Sequence, residues 1–170
     1  VADMDFQVSS YIQEALAGSV AHGIFGYSEA DGSYFEAVAG WMGRHYGWNV
    51  EEPWLVKTPG IVFALAQAVR AFTEPGDAVL LQQPVYYPFS QVIRDNGRKI
   101  VDNTLVQGED GRYRIDFADF EEKIRSCKVK LFFLCNPHNP VGRVWTREEL
   151  LRLGDICEKY GVIVVSDEIH

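Results

Sequence analysis

Apolar positions through the middle of the chain alternate between two spacings. Ile61, Ala64, Leu65, Ala68, Val69 and Phe72 fall on one helical face, which predicts an amphipathic helix opening at Gly60. Residues 78–81, 131–135 and 162–165 are short unbroken apolar runs, the pattern of strands buried on both sides. A further strand is expected at residues 99–102. Between these runs the helical spacing returns. A helix over residues 87–95 closes at Asn96-Gly97, and a second, capped by Asp116, turns Phe117, Phe120 and Ile124 inward. Thr146 and Glu149 form a capping-box signature for a third, whose face is Leu150, Leu153, Cys157 and Tyr160 and whose end is Gly161. Strands alternating with helices of this length predict βαβ units with right-handed crossovers, an α/β fold layered α/β/α around a mostly parallel sheet.

The first third of the chain reads differently. Ile12, Ala15, Leu16 and Val20 mark a helix capped by Ser9 or Ser10 and broken at His22-Gly23; Phe35, Val38, Trp41, Met42 and His45 mark another, stopped by Gly47. Residues 54–57 read as a short strand. The expected division is a helical arm over residues 1–53 and the first part of a larger domain over residues 54–170. Because the chain opens on Val1 and stops at His170 directly after a strand, it is expected to be a piece of a longer protein.

Composition narrows the function. An apolar fraction of 47% suffices for a packed core. A net charge of −8 without a basic stripe disfavours nucleic acid and anionic membrane as partners. Cys127, Cys135 and Cys157 form no CxxC pair and suggest neither a disulfide framework nor a zinc site, a usage that fits the cytoplasm.

Parallel strands share a carboxyl edge, so the segments following residues 81, 135 and 165 open on one side. They carry Gln83-Pro84-Val85-Tyr86-Tyr87, Asn136-Pro137-His138-Asn139-Pro140-Val141-Gly142 and Asp167-Glu168-Ile169-His170. An aromatic ring, an amide and a carboxylate therefore converge. Thr58-Pro59-Gly60-Ile61 adds a helix start whose free N–H groups and positive dipole end suit an anion. A flat ligand with a phosphate and a protonatable ring nitrogen would use all four, as pyridoxal 5'-phosphate does: its chemistry needs an anion beside the pyridinium. Each residue also has a plainer reading. Asp167 could end a strand or cap a helix, Asn139 could close an Asx turn before Pro140, Tyr86 like Tyr87 could fill core, Gly60 could merely start a helix and Tyr27 could simply pack. His138, Glu168 and His170 match no usual metal-ligand spacing.

Asn136 to Gly142 followed by Ser166-Asp167-Glu168-Ile169-His170 resembles the fold-type-I pyridoxal-phosphate enzymes, the aspartate aminotransferase superfamily. Val1-Ala2-Asp3-Met4-Asp5-Phe6, His22-Gly23-Ile24-Phe25-Gly26-Tyr27, Asn139 to Trp145 and Asp167 to His170 are similar to its cystathionine β-lyase and cystalysin branch, and the likeness covers the whole chain. The resemblance implies that Asp167 pairs with the pyridine nitrogen, Asn139 bonds the ring 3-oxygen, and Tyr86 stacks on the ring. It implies backbone N–H groups of Gly60, Ile61 and Val62 on the phosphate, and Tyr27 reaching the phosphate of the neighbouring subunit in a homodimer. Ala2 and Asp3 fall in the substrate pocket. His170 matches the lyase branch where transaminases often carry tyrosine.

The same resemblance places the Schiff-base lysine and the carboxylate-binding arginine beyond His170. Lys99, Lys123, Lys128, Lys130 and Lys159 are expected away from the carboxyl edge, and Lys57 precedes the phosphate loop. The implied activity of the intact protein is a carbon-sulfur β-lyase acting on a small amino acid of the cystathionine or cysteine class. An aminotransferase on the same scaffold and a non-catalytic regulatory homologue are the alternatives. The stretch by itself, its sheet incomplete, is expected to be inactive and to fold poorly.

Overall fold

The unbroken apolar runs become neighbouring strands, and the periodic segments between them become the helices that cover the sheet. A computed structural model describes residues 5–27 and 29–170. The chain divides into two compact units, Val1–Val56 and Lys57–His170.

The first unit holds α1 (Ser10–His22) and α2 (Gly32–Tyr46). Gly23 ends α1 in a left-handed conformation, its N–H donating to the Ser19 carbonyl, and Gly47 ends α2 in the same way. Asp31 caps α2 by accepting from the Ser33 N–H at 3.0 Å. Neither helix buries a residue. The strand expected at residues 54–57 does not form. A single 3-10 turn, Glu52–Trp54, takes up Trp54. Leu55 is extended, yet no strand among the described residues lies beside it, and extended backbone without a ladder partner is not a strand.

The second unit contains α3 (Ile61–Phe72), β1 (Ala78–Leu81), α4 (Pro88–Asp95), β2 (Lys99–Asp102), β3 (Val106–Gln107), β4 (Tyr113–Arg114), α5 (Phe117–Cys127), β5 (Leu131–Cys135), α6 (Arg147–Tyr160) and β6 (Ile163–Asp167). Its main sheet runs β2-β1-β5-β6, every pair parallel, with Val79 opposite Leu131 and Cys135 opposite Asp167. β3 and β4 form a small antiparallel hairpin that hydrophobic spacing did not reveal.

Side-chain alternation splits the core into two layers. Leu80, Phe132 and Leu134 pack with Phe120, Ile124, Leu153 and Ile156 from α5 and α6. Val79, Leu81, Leu131 and Phe133 pack with Leu65, Val69, Phe89 and Ile93 from α3 and α4. One edge-on aromatic pair anchors each layer, Phe120–Phe132 with centroids 5.0 Å apart and Phe89–Phe133 at 5.6 Å. The architecture is thus α/β/α. Among the described residues β6 is paired on one side only, and Ile163 and Val164 are exposed.

α3 is oriented by ties at its far end. The Arg98 guanidinium donates to the Thr73 hydroxyl and carbonyl and to the Asn96 carbonyl, and the Gly76 N–H donates to the Gly97 carbonyl at 2.9 Å. These contacts sit where β2 begins, at the amino edge of the sheet. The first turn of α3 therefore faces the carboxyl edge, as a helix running antiparallel to its strand must.

Candidate functional site

At the carboxyl edge the sequence leaves the sheet abruptly, because Pro84, Pro137 and Pro140 lack the N–H that a ladder requires. The two loops that result are tied to each other, and to the end of β6, by backbone. The Tyr86 N–H donates to the Asn139 carbonyl at 2.9 Å, and the Asn136 N–H donates to the Asp167 carbonyl at 3.0 Å. The imidazole Nε2 of His138 meets the Pro84 carbonyl at 3.0 Å. Tyr86 and Asn139, read from sequence as convergent with Asp167, thus stand on loops joined directly, and Asp167, the last residue of β6, is joined to the second of them.

The loop after β5 has its own scaffold. Trp145 donates its indole N–H to the Cys135 carbonyl at 3.0 Å and its backbone N–H to the Asn136 side-chain oxygen at 3.2 Å. The His138 ring meets the Trp145 ring edge-on at 5.4 Å, and the Arg143 guanidinium lies 4.7 Å over Trp145. Arg143 also donates to both carboxylate oxygens of Glu149, at 2.8 and 2.7 Å, and to the Tyr113 carbonyl at 2.7 Å. Glu149 in turn completes the capping box of α6 with Thr146. The loop is therefore fixed to the hairpin on one side and to a helix start on the other.

The candidate side chains differ in what they already bond. Asn139 donates its backbone N–H to the Cys135 sulfur at 3.4 Å, while its side-chain amide makes no hydrogen bond to any described residue. It closes no Asx turn. Asp167 is half-buried and accepts from the Ile169 N–H through Oδ1 at 3.1 Å, while Oδ2 bonds no described residue. That bond is the turn contact of the plainer reading, and it occupies one oxygen of two. Tyr86 is 40% exposed and Tyr87 72%; Tyr86 is the one whose backbone is tied to the Asn139 loop. Beneath them, burial pushes the Cys135 thiol above its ordinary pKa, the Asn139 N–H works against that, and the nearby Asp167 charge adds to it.

Gly60 stands at φ 142°, a conformation that side-chain-bearing residues rarely adopt, and provides no side-chain cap for α3. The first N–H groups of that helix, Ile61 and Val62 among them, have no intrahelical acceptor and open on the carboxyl edge. A planar ligand bearing an anion and a ring nitrogen would find a ring, an amide, a carboxylate and an anion cradle there.

Tyr27 belongs to the first unit, where its side chain is fully exposed. His170 is exposed beyond β6, and Ala2 and Asp3 lie outside the described residues. Lys99 opens β2, and Lys128 and Lys130 precede β5, at the amino edge as expected. Lys123 does not follow that expectation: its Nζ donates to the Asp102 carbonyl at the carboxyl end of β2, because Asp119 pairs with it at 2.8 Å and turns it that way. It remains two strands from Asn139 in the sheet order. Sequence reasoning missed His138, Arg143 and Trp145 as the supports of the loop. Their partners are backbone carbonyls or residues on other elements, which no local spacing marks.

No helix among the described residues is long and apolar enough to cross a membrane. The model of the family "Aminotransferase class I and II" matches residues 3–170. The chain is 53% identical over 170 residues to cystathionine beta-lyase PatB of Bacillus subtilis, covering 100% of this chain and 44% of the relative. It is 30% identical over 172 residues to aspartate aminotransferase of Sulfolobus acidocaldarius, covering 43% of that protein. Among solved structures, cystalysin from Treponema denticola, which contains a pyridoxal 5'-phosphate cofactor, superposes with a TM-score of 0.92 at 39% identity. The match spans all of this chain and 43% of cystalysin. The chain thus spans less than half the length of these relatives.

Proposed function

Because the chain belongs to the aminotransferase class I and II family, we propose that it forms part of a pyridoxal 5'-phosphate-dependent carbon-sulfur β-lyase acting on cystathionine- or cysteine-type amino acids. The observation that carries this reading is the Asn139 amide, bonded to no described residue and set on a loop tied to that of Tyr86 and to the end of β6 at Asp167. The donor set fits the cofactor. When bound, pyridoxal phosphate supplies a protonatable ring that withdraws electrons from the substrate's α-carbon.

The chain's own residues would make that chemistry possible. The free Asp167 oxygen, placed against the ring nitrogen, holds a proton there by raising the nitrogen's pKa. The Asn139 amide donates to the ring 3-oxygen and favours its ionised form. Tyr86 covers a ring face and excludes water. Gly60, Ile61 and Val62 present N–H groups to the phosphate at a helix N-terminus, where the dipole adds to the hydrogen bonds. His170 stands near the ring oxygen, Ala2 and Asp3 line the substrate pocket, and Tyr27 serves the neighbouring subunit's phosphate in a homodimer. The lysine that carries the cofactor and the arginine that holds the substrate carboxylate are assigned to the rest of the longer protein.

The test is to incubate the full-length protein with cystathionine and assay pyruvate. Pyruvate with release of a thiol is the expected outcome. A second reading, an aminotransferase, is favoured by the likeness to the Sulfolobus enzyme. Keto-acid exchange with a second amino acid and no pyruvate would replace the first reading by this one. Residues 1–170 alone should give no stoichiometric borohydride-trapped cofactor adduct on Lys57, Lys99, Lys123, Lys128, Lys130 or Lys159, as read by mass spectrometry.

A further inference from the structure

We propose that His138 is a positioning residue, whose buried imidazole holds the Tyr86 ring and the Asn139 amide in register by bonding the Pro84 carbonyl across the two loops. The inference rests on the cofactor reading above for its consequence, but its geometry stands by itself. His138 is 2% exposed, and its Nε2 lies 3.0 Å from an oxygen that can only accept, so Nε2 carries the proton. Nδ1 has no hydrogen-bond partner among the described residues, and burial favours the neutral ring against the opposing pull of the Pro84, Gln82 and Cys135 backbone, which leaves Nε2 as its donor to Pro84. Two backbone bonds fix the His138 main chain: its N–H donates to the Arg143 carbonyl at 2.7 Å, and its carbonyl accepts from the Gly142 N–H at 2.8 Å.

Asn139 follows His138 directly, and Tyr86 lies two residues after Pro84. The side-chain bond from His138 to Pro84 and the backbone bond from Tyr86 to Asn139 therefore close a short ring between the loops. Of its two bonds, only the one from His138 depends on a side chain. Removing that donor leaves the Pro84 carbonyl without its partner across the loops and frees the Tyr86 loop to move against Asn139. His138 touches neither substrate nor cofactor in this arrangement. Its effect is carried by the two residues that do.

The test uses the full-length protein and two substitutions that differ in reach. In His138→Gln the side-chain amide N–H occupies the place of Nε2, whereas in His138→Asn it stops a methylene short. His138→Gln should keep the Tyr86 amide protected from deuterium exchange in cofactor-free protein. His138→Asn should lower that protection about tenfold, while the Val79 and Leu131 amides keep theirs as a check on the fold. With pyridoxal phosphate added, His138→Asn should bind about tenfold more weakly than His138→Gln. The pH midpoint of its cofactor absorbance should rise by about one unit, since the ionised ring oxygen loses a well-placed donor.

Unchanged Tyr86 exchange in His138→Asn, or equal losses in both variants, overturns the positioning role. In the unsubstituted protein, imidazole 15N shifts should report a protonated Nε2 and a bare Nδ1; the opposite tautomer also overturns it. If the Tyr86 exchange behaves as expected but the unsubstituted protein binds no pyridoxal phosphate, the loop register is supported and the cofactor reading falls.

Discussion

Gly60 has open space where a β-carbon would stand, so its requirement is conformational rather than steric: at φ 142° any side chain strains the backbone. Gly60→Ala should destabilise the full-length protein by about 1–3 kcal/mol in urea unfolding, and should weaken phosphate binding by shifting the first N–H groups of α3. His138 makes a second prediction at this scale. Burial holds its pKa below the ordinary 6.5, so on acidification the unfolded chain takes up a proton before the folded one does. Its contribution to stability is complete above about pH 6.5 and is lost as pH falls from there toward the folded pKa. Urea midpoints followed by tryptophan fluorescence between pH ~7 and ~5.5 should fall for the unsubstituted protein and fall less for His138→Gln. The place of Asp167 and Asn139 at the carboxyl edge was legible in the sequence because each follows an apolar run within a few residues. The role of His138 was not, since its partner Pro84 is 54 residues away and offers a main-chain atom.

Elements repeat the contrast between local and distant causes. The capping box of α6 was legible because Thr146 and Glu149 are three residues apart, and both of its bonds form. Thr146→Ala should cost about 1 kcal/mol. Glu149→Ala should cost more, about 2 kcal/mol, because both oxygens of the same half-buried carboxylate also accept from Arg143 Nη2. Thermal unfolding of the two variants tests that order; equal losses would mean that the ion pair contributes nothing. The hairpin of β3 and β4 escaped the sequence reading because strands of two residues are too short to show a period. Residues 54–57 failed in the opposite way. Their composition suits a strand, but pairing is a property of two segments, and no partner lies among the described residues.

The whole second unit follows from one chemical fact, the uninterrupted apolarity of β1 and β5, every residue of which is buried. Such strands need helices on both faces, and the chain provides α3 and α4 on one and α5 and α6 on the other. That much could be read from spacing alone; the strand order β2-β1-β5-β6 could not, because crossovers leave no mark in periodicity. The same burial sorts the thiols. Cys157 is pushed up to about 12 by burial and Cys135 is raised as well, whereas Cys127 is exposed. Iodoacetamide at mildly alkaline pH should modify Cys127 alone in the folded protein and all three after unfolding, as counted by mass spectrometry. The loop supports have a different consequence, for mutational tolerance. His138, Arg143 and Trp145 each grip a carbonyl, of Pro84, Tyr113 and Cys135 respectively, and every residue type possesses that group. Saturation mutagenesis should therefore be one-sided across these pairs: at Tyr113, exchanges that preserve the hairpin leave the grip intact, while at Arg143 almost any exchange releases it. A drifting sequence can rewrite the gripped partner freely and still keep the architecture that the gripping side chain enforces.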